Sequence, residues 1–197
     1  MSVETFNFHP SIMAGVRALG YTTPTPIQLK AIPPIMQGRD LIGLAQTGTG
    51  KTAAFVLPIL ERLRSGPHGR VQALVISPTR ELVEQTCEVF NNLGSNTGLQ
   101  SVAVYGGVNM AQQTRNLQNG ADIVVACPGR LLDHLWKGTI SLSSLEILVI
   151  DEADRMLDMG FLPDIRNVLQ CIMNKHQTLL FSATMPENIR RLAREIM

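Results

Sequence analysis

Short, continuously apolar runs recur along the chain, and each is followed by a stretch whose apolar positions repeat at helical spacing. The runs are DLIGL (40–44), VQALVI (71–76), LQSVAVY (99–105), ADIVVA (121–126), LEILVI (145–150) and QTLLF (177–181). Their length and their Val, Ile and Leu content predict strands covered on both faces. Helix-like segments follow near 51–64, 79–93, 109–117, 129–136, 161–171 and 187–196. This alternation predicts an α/β fold, a parallel β-sheet with helices on both faces built by right-handed βαβ crossovers. Residues 1–38 carry a helical pattern and are expected to pack as a segment on a core formed by 39–197. RSGPHGR (64–70) predicts an exposed loop with His68 solvated. In such sheets ligands gather beyond the carboxyl ends of the strands, and the chemistry-bearing segments fall there.

The first strand runs into AQTGTGKT (45–52) and then into an apolar helix. Gly48 and Gly50 permit a tight turn that aims successive N–H groups at a pyrophosphate. Lys51 supplies a cation toward the outer phosphates, and the Thr52 hydroxyl is placed to ligate Mg²⁺. The strict G-x-x-x-x-G-K-[ST] pattern has glycine where this chain has Ala45, while the strand-before, helix-after context fits. LEILVIDEAD (145–154) ends an apolar strand directly in Asp151 and Glu152. Asp151 is the natural Mg²⁺ partner, partly through water. Glu152 is the candidate for orienting or deprotonating the attacking water. Asp154 is placed to hold neighbouring loops.

Composition narrows this picture. With 197 residues, 45% apolar and 17% charged, the chain suits one ordered domain with a sizeable core. A net charge of +1 gives no general field for a polyanion, so anion binding must use local groups and helix ends. Cys87, Cys127 and Cys171 form no C-x-x-C pair and fit reduced thiols better than a disulfide or zinc framework. The N-terminus lacks a signal pattern and no apolar run approaches a membrane span. The expectation is a cytoplasmic, monomeric domain without membrane contact.

With these motifs placed, the chain resembles the first of the two RecA-like domains of a DEAD-box RNA helicase, over essentially its whole length. Its general flavour is similar to the bacterial RhlE-like members. GYTTPTPIQ (20–28) resembles the family's Q motif and PTREL (78–82) its motif Ia; GG (106–107), PGR (128–130) and SAT (182–184) follow in the family's order. The resemblance implies a RecA-like P-loop NTPase fold that uses ATP and Mg²⁺ bound by Ala45, Gln46, Thr47, Gly48, Thr49, Gly50, Lys51 and Thr52. Catalysis would fall to Lys51, Asp151 and Glu152, with Thr52 and Asp151 on the metal. The single-stranded RNA backbone would meet Pro78, Thr79, Arg80, Gly106, Gly107, Pro128, Gly129 and Arg130, and Asp154, Ser182 and Thr184 would couple hydrolysis to strand separation.

Bottom-up alternatives stand beside several of these roles. Thr25 to Gln28 is a capping-box pattern with Pro26 at the first helical position. Equally, the Gln28 amide can donate to adenine N7 and accept from N6, with Tyr21 as an aromatic face close by. Thr79 is either a plain N-cap or a phosphate contact, Gly106–Gly107 either a tight turn or part of the RNA face, and Thr184-Met185-Pro186-Glu187 is itself a capping-box pattern. His134 and Trp136 read as ordinary helix packing. Two departures from the family stand out: Cys127 replaces the threonine before PGR, and Val3 occupies the spacing where the family has an aromatic residue, with Phe6 and Phe8 off it. Nothing after SAT resembles the second domain, so the chain is expected to be a fragment that hydrolyses ATP slowly and separates no strands alone. The alternative functions are a nucleotide-switched RNA clamp and a DNA helicase on the same fold.

Overall fold

The structure, a computed structural model, describes residues 2–197. Six strands form one sheet: β1 (Leu41–Leu44), β2 (Ala73–Ile76), β3 (Ser101–Val104), β4 (Ile123–Ala126), β5 (Ile147–Ile150) and β6 (Gln177–Ser182). Their order is β1-β6-β5-β2-β4-β3 and every pairing is parallel. Each strand lies inside or within a residue of the apolar run that predicts it.

The helices are α1 (Pro10–Ala18), α2 (Pro26–Met36), α3 (Lys51–Leu63), α4 (Arg80–Leu93), α5 (Met110–Gln118), α6 (Pro128–Trp136), α7 (Ala153–Asp158), α8 (Leu162–Gln170) and α9 (Glu187–Ile196). Helix α7, directly after the acidic motif, has no counterpart in the sequence pattern because six residues are too few for a period to show.

Strand residues alternate between two cores. Ala73 and Val75 of β2 meet α3 and α4 on one face, whereas Leu74 and Ile76 meet α6, α8 and α9 on the other. The chain crosses the sheet in one direction through α3 and α4, then reverses at the β3 edge and returns through α5, α6 and α7–α8. Right-handed crossovers force this reversal to change faces. The reversal leaves β2 and β5 as neighbours whose following helices lie on opposite faces, which opens a crevice at their carboxyl ends.

Helices α1 and α2 bury Ile12, Val16, Ile32 and Ile35 in the α3–α4 core. A Cβ at Gly15 would lie 2.5 Å from the Leu93 carbonyl, so the close approach of α1 to the end of α4 needs glycine there. This docking brings residues 20–28 over the carboxyl end of β1.

Candidate nucleotide site and nucleic-acid interface

Past β1 the chain folds into a loop that opens α3. Gly48 (φ 84°) and Gly50 (φ 91°) take the left-handed backbone that favours glycine. A Cβ at Gly50 would also lie 2.7 Å from Gln28 Nε2 and 2.9 Å from Thr25 Oγ1, so the seating of α2 against the loop requires its absence. The backbone N–H groups from Thr47 through Thr52 have no partner among the described residues. A row of free donors at the start of a 13-residue helix is an anion site by construction.

Lys51 Nζ lies 2.7 Å from Glu152 Oε1, with both side chains buried, and the Thr47 hydroxyl donates to the same oxygen at 2.8 Å. Glu152 adopts φ 55°, an uncommon conformation for a side-chain-bearing residue, at the junction of β5 and α7. The acidic motif and the phosphate loop are therefore tied together across the crevice.

Asp151, at the tip of β5, is buried and accepts from the Glu152 N–H at 3.0 Å. Burial pushes its carboxyl up from the ordinary value to about 6, the Lys51 charge opposing and Glu152 reinforcing the shift. A folded-state pKa above the unfolded value of 3.8 means the folded domain holds this proton more tightly. Stability from this group is then present below the unfolded value and lost as pH rises through about 6. Asp151→Asn removes that cost. Without Mg²⁺, the variant is expected to be more stable than the parent by about 2–3 kcal/mol near pH 8, a gain that shrinks toward about pH 4. Urea unfolding at the two pH values checks this, and equal stabilities throughout would contradict it.

A cavity of about 570 Å³ spans these groups. Of the predicted nucleotide residues, Tyr21, Gln28, Thr47, Gly48, Gly50, Lys51, Thr52, Asp151 and Glu152 line it. Ala45, Gln46 and Thr49 do not. Instead, the Ala45 N–H donates to the Ser182 carbonyl at 3.0 Å, and the Thr49 hydroxyl donates to the Gln46 carbonyl at 2.7 Å. These residues shape the loop rather than face its contents. Leu82, Gln85 and Val89 of α4 complete the wall, a contribution invisible in the sequence because it depends on how α4 crosses the sheet.

Gln28 is 8% exposed at the cavity edge. Its Oε1 accepts from the Thr25 N–H at 2.9 Å, the contact expected of a capping box, and its Nε2 donates to the Gly50 carbonyl at 3.2 Å. The Thr25 hydroxyl is buried and lacks a hydrogen-bond partner. One amide hydrogen and one oxygen lone pair of Gln28 remain for a ligand. Tyr21 is 39% exposed on the same rim. Val3 is buried in the apolar core, where its N–H donates to the Thr22 carbonyl at 3.1 Å, and Phe6 and Phe8 pack on each other instead of on the cavity.

The proposed RNA residues cluster at the carboxyl ends of β2, β3 and β4. Pro78 and Thr79 lead into α4, where the Thr79 hydroxyl caps the Leu82 N–H at 3.4 Å. Arg80 is half-exposed, lies over the Tyr105 ring at 4.9 Å and pairs with Glu84 at 3.1 Å. Gly106 and the left-handed Gly107 (φ 81°) form an exposed turn. Pro128 and Gly129 open α6, where Cys127 sits at the N-cap but makes no side-chain capping bond. Burial pushes its thiol up to about 11, with Glu81 adding to the rise. Arg130 turns inward, its Nη1 donating to the Val108 carbonyl and to Gln113 Oε1, each at 3.1 Å. Nη1 is thus committed within the domain and Nε faces Asp133 Oδ2 at 3.5 Å, while Nη2 has no partner among the described residues.

Asp154 Oδ2 accepts from both the N–H and the hydroxyl of Thr184, each at 2.8 Å, and the Asp154 N–H donates to Ser182 Oγ at 3.2 Å. Burial alone would raise the Asp154 carboxyl; the hydrogen bonds from Thr184 and Ser182 outweigh it and hold the pKa below the ordinary value. Thr184 is no helix cap: α9 begins at Glu187 with Pro186 at its N-cap, so the predicted capping box does not form. Two further expectations change. His134 is fully buried in a polar network, and Trp136 is 70% exposed, so neither is ordinary helix packing.

A parallel sheet with a phosphate loop after its edge strand, and an acidic pair at the tip of an interior strand, defines a P-loop nucleotide-binding domain of RecA-like architecture. Residues 25–192 match the DEAD/DEAH box helicase family, and the chain belongs to it. It is 50% identical to the ATP-dependent RNA helicase DeaD of Escherichia coli strain K12 over 188 residues, which is 94% of this chain and 30% of that protein. It is 48% identical to the DEAD-box ATP-dependent RNA helicase RhpA of Helicobacter pylori strain 26695, covering all of this chain and 39% of that one. The crystal structure of a DEAD box protein from the hyperthermophile Methanococcus jannaschii superposes with a TM-score of 0.94 at 37% identity, over all of this chain and 54% of that one. The chain thus spans about a third of the length of these curated relatives.

Proposed function

We propose that this chain is the N-terminal, ATP-binding RecA-like half of an ATP-dependent RNA helicase, with residues 1–38 supplying the Q-motif segment and 39–197 the nucleotide-binding body. The observation that carries this reading is the row of unpartnered N–H groups from Thr47 through Thr52, opening into the cavity that Lys51 and Asp151 also line. Those donors and Lys51 bind the phosphates, and Thr52 and Asp151 would hold Mg²⁺, partly through water, where it would neutralise charge on the outer phosphates. Glu152 orients the attacking water and takes its proton.

Adenine is read by Gln28, whose spare donor and acceptor match N7 and N6 of adenine, while guanine offers only acceptors on that edge. Tyr21 flanks the base. Gln28→Glu retains the acceptor for the Thr25 N–H but loses the donor. The variant is expected to stay folded and to lose its preference for ATP over GTP in competitive nucleotide binding. A preserved preference would reduce Gln28 to a helix cap.

RNA backbone meets Pro78, Thr79, Arg80, the Gly106–Gly107 turn and the Pro128–Gly129 start of α6, where helix N-termini favour phosphate without reading bases. Asp154, Ser182 and Thr184 link the acidic motif to β6 and thereby relay the state of the nucleotide. A second RecA-like domain completes the ATPase and supplies arginines to the γ-phosphate. The test is ATP turnover and duplex separation with and without that domain. RNA-stimulated turnover with strand release in the two-domain protein supports the helicase reading, and turnover without release indicates an RNA clamp. Preference for DNA in competition would overturn the RNA assignment, because only RNA offers the 2′-hydroxyl.

A further inference from the structure

A buried polar node lies between α5 and α6, behind the Gly106–Gly107 turn. Gln113 is 5% exposed, His134 is fully buried, and the Arg130 side chain is 16% exposed. Gln113 Nε2 donates to the Tyr105 carbonyl at 2.9 Å, just before the turn, and Arg130 Nη1 donates to the Val108 carbonyl at 3.1 Å, just after it. The amide and the guanidinium are joined, since Arg130 Nη1 also donates to Gln113 Oε1 at 3.1 Å. Both carbonyls flanking the two glycines are therefore held from inside by two side chains bonded to each other.

Arg130, which can only donate, and the Tyr105 carbonyl, which can only accept, fix the orientation of that amide, and His134 then supports it. The His134 Nε2 lies 3.2 Å from Gln113 Oε1, an atom that can only accept, so Nε2 carries a proton. Burial, with Arg130 adding to it, lowers the pKa of the ring and favours the neutral form. In that form Nδ1 faces the Thr139 hydroxyl at 2.7 Å, whose single hydrogen is shared between Nδ1 and the His134 carbonyl at 3.0 Å. Rotating the Gln113 amide by half a turn would set its oxygen against the Tyr105 carbonyl and its NH₂ against Arg130, so one orientation alone satisfies these groups. With the flanking carbonyls turned inward, the Gly106 and Gly107 N–H groups have no partner among the described residues.

We propose that Gln113, supported by His134, is a positioning residue for the RNA backbone: it fastens the Gly106–Gly107 turn to Arg130 so that the turn's free N–H groups form a preset phosphate cradle. Arg130 acts as the tie of this cradle through Nη1. The inference rests on the RNA reading given above.

The 197-residue domain, saturated with a non-hydrolysable ATP analogue and Mg²⁺, is titrated with single-stranded oligouridine at several salt concentrations. Gln113→Met is expected to bind about tenfold more weakly with an unchanged salt slope, because the turn's N–H groups carry no charge and displace no counterion. Its affinity for the ATP analogue is unchanged, and Gln112→Met, at an exposed neighbouring site on α5, behaves as the parent. Arg130→Lys keeps the charge, but its ammonium ends one bond short of the Nη1 position and does not reach both acceptors, so it loses a similar factor, and the double variant loses no more than either single one. Arg130→Lys also carries the test if Gln113→Met does not fold. Parent-like affinity in folded Gln113→Met would overturn the proposal, as would full affinity in Arg130→Lys or additive losses. If the parent itself binds no oligouridine, the RNA reading falls and this inference falls with it.

Discussion

Glu152→Gln is expected to lower RNA-stimulated ATP hydrolysis by at least about 100-fold in a protein that joins this domain to its second RecA-like domain, while ATP binding is retained. Glu152 lies within 2.7 Å of Lys51 and 2.8 Å of the Thr47 hydroxyl, at the junction where the acidic strand meets the phosphate loop. Glutamine keeps an oxygen that can accept from both, so the local fold survives. What it cannot do is take a proton. In the ligand-free domain the carboxylate also competes with phosphate for Lys51, because an ion pair this buried must be exchanged when nucleotide enters. Neutralising it removes that competitor, and ATP affinity is expected to equal or exceed that of the parent. Single-turnover hydrolysis and equilibrium binding separate the two effects. Parent-like turnover would remove Glu152 from the role of base.

Lys51→Ala produces the second large effect, and it has two parts. The Lys51 side chain is 4% exposed, and deleting it leaves the Glu152 carboxylate buried beside the Thr47 hydroxyl alone. Breaking a buried pair from one side costs about 3–5 kcal/mol. Separately, the phosphates lose a charge-assisted hydrogen bond worth about 1.5–3 kcal/mol, a weakening of nucleotide binding by about 10-fold to 150-fold. The two parts are separable by a double variant. Lys51→Ala with Glu152→Gln is expected to recover much of the lost stability, because the orphaned Glu152 carboxylate is neutralised and only Asp151 stays without its cation, and to recover none of the nucleotide affinity. Denaturant unfolding reads the first and calorimetric titration the second. Recovery of both together would mean that Lys51 supports the fold without serving the phosphates.

The parallel α/β architecture is legible in the alternation of apolar runs with helical stretches, since strands covered on both faces must be continuously apolar. The phosphate loop and the acidic motif are legible for a related reason: their chemistry depends on local spacing, so Gly48, Gly50, Lys51 and Thr52 sit on one turn. Contacts made across the sheet are harder to read. The β1-β6-β5-β2-β4-β3 order brings Ser182 to Ala45 and Thr184 to Asp154, and only the order of motifs hints at it. Thr184 looks like a cap because its neighbours spell one, but Asp154 takes both its N–H and its hydroxyl, and Pro186 stands at the N-cap of α9. Gln113 does carry a faint sequence signal: it stands four residues before Leu117, on the buried face of α5, where an amide has to be satisfied to be tolerated. Arg130 illustrates the opposite difficulty. A basic residue at a helix start suggests an outward phosphate contact, and nothing in its neighbours in sequence reveals that Val108 and Gln113 claim it.

The central claim is that the cavity between the phosphate loop, the acidic motif and Gln28 is built for ATP. Calorimetric titration of the 197-residue domain with ATP and with GTP, each in the presence of Mg²⁺, tests it most directly. ATP is expected to bind at least about tenfold more tightly than GTP, the discrimination available to one well-placed amide on the base edge. Equal affinities for the two nucleotides, or binding of neither, would contradict the claim.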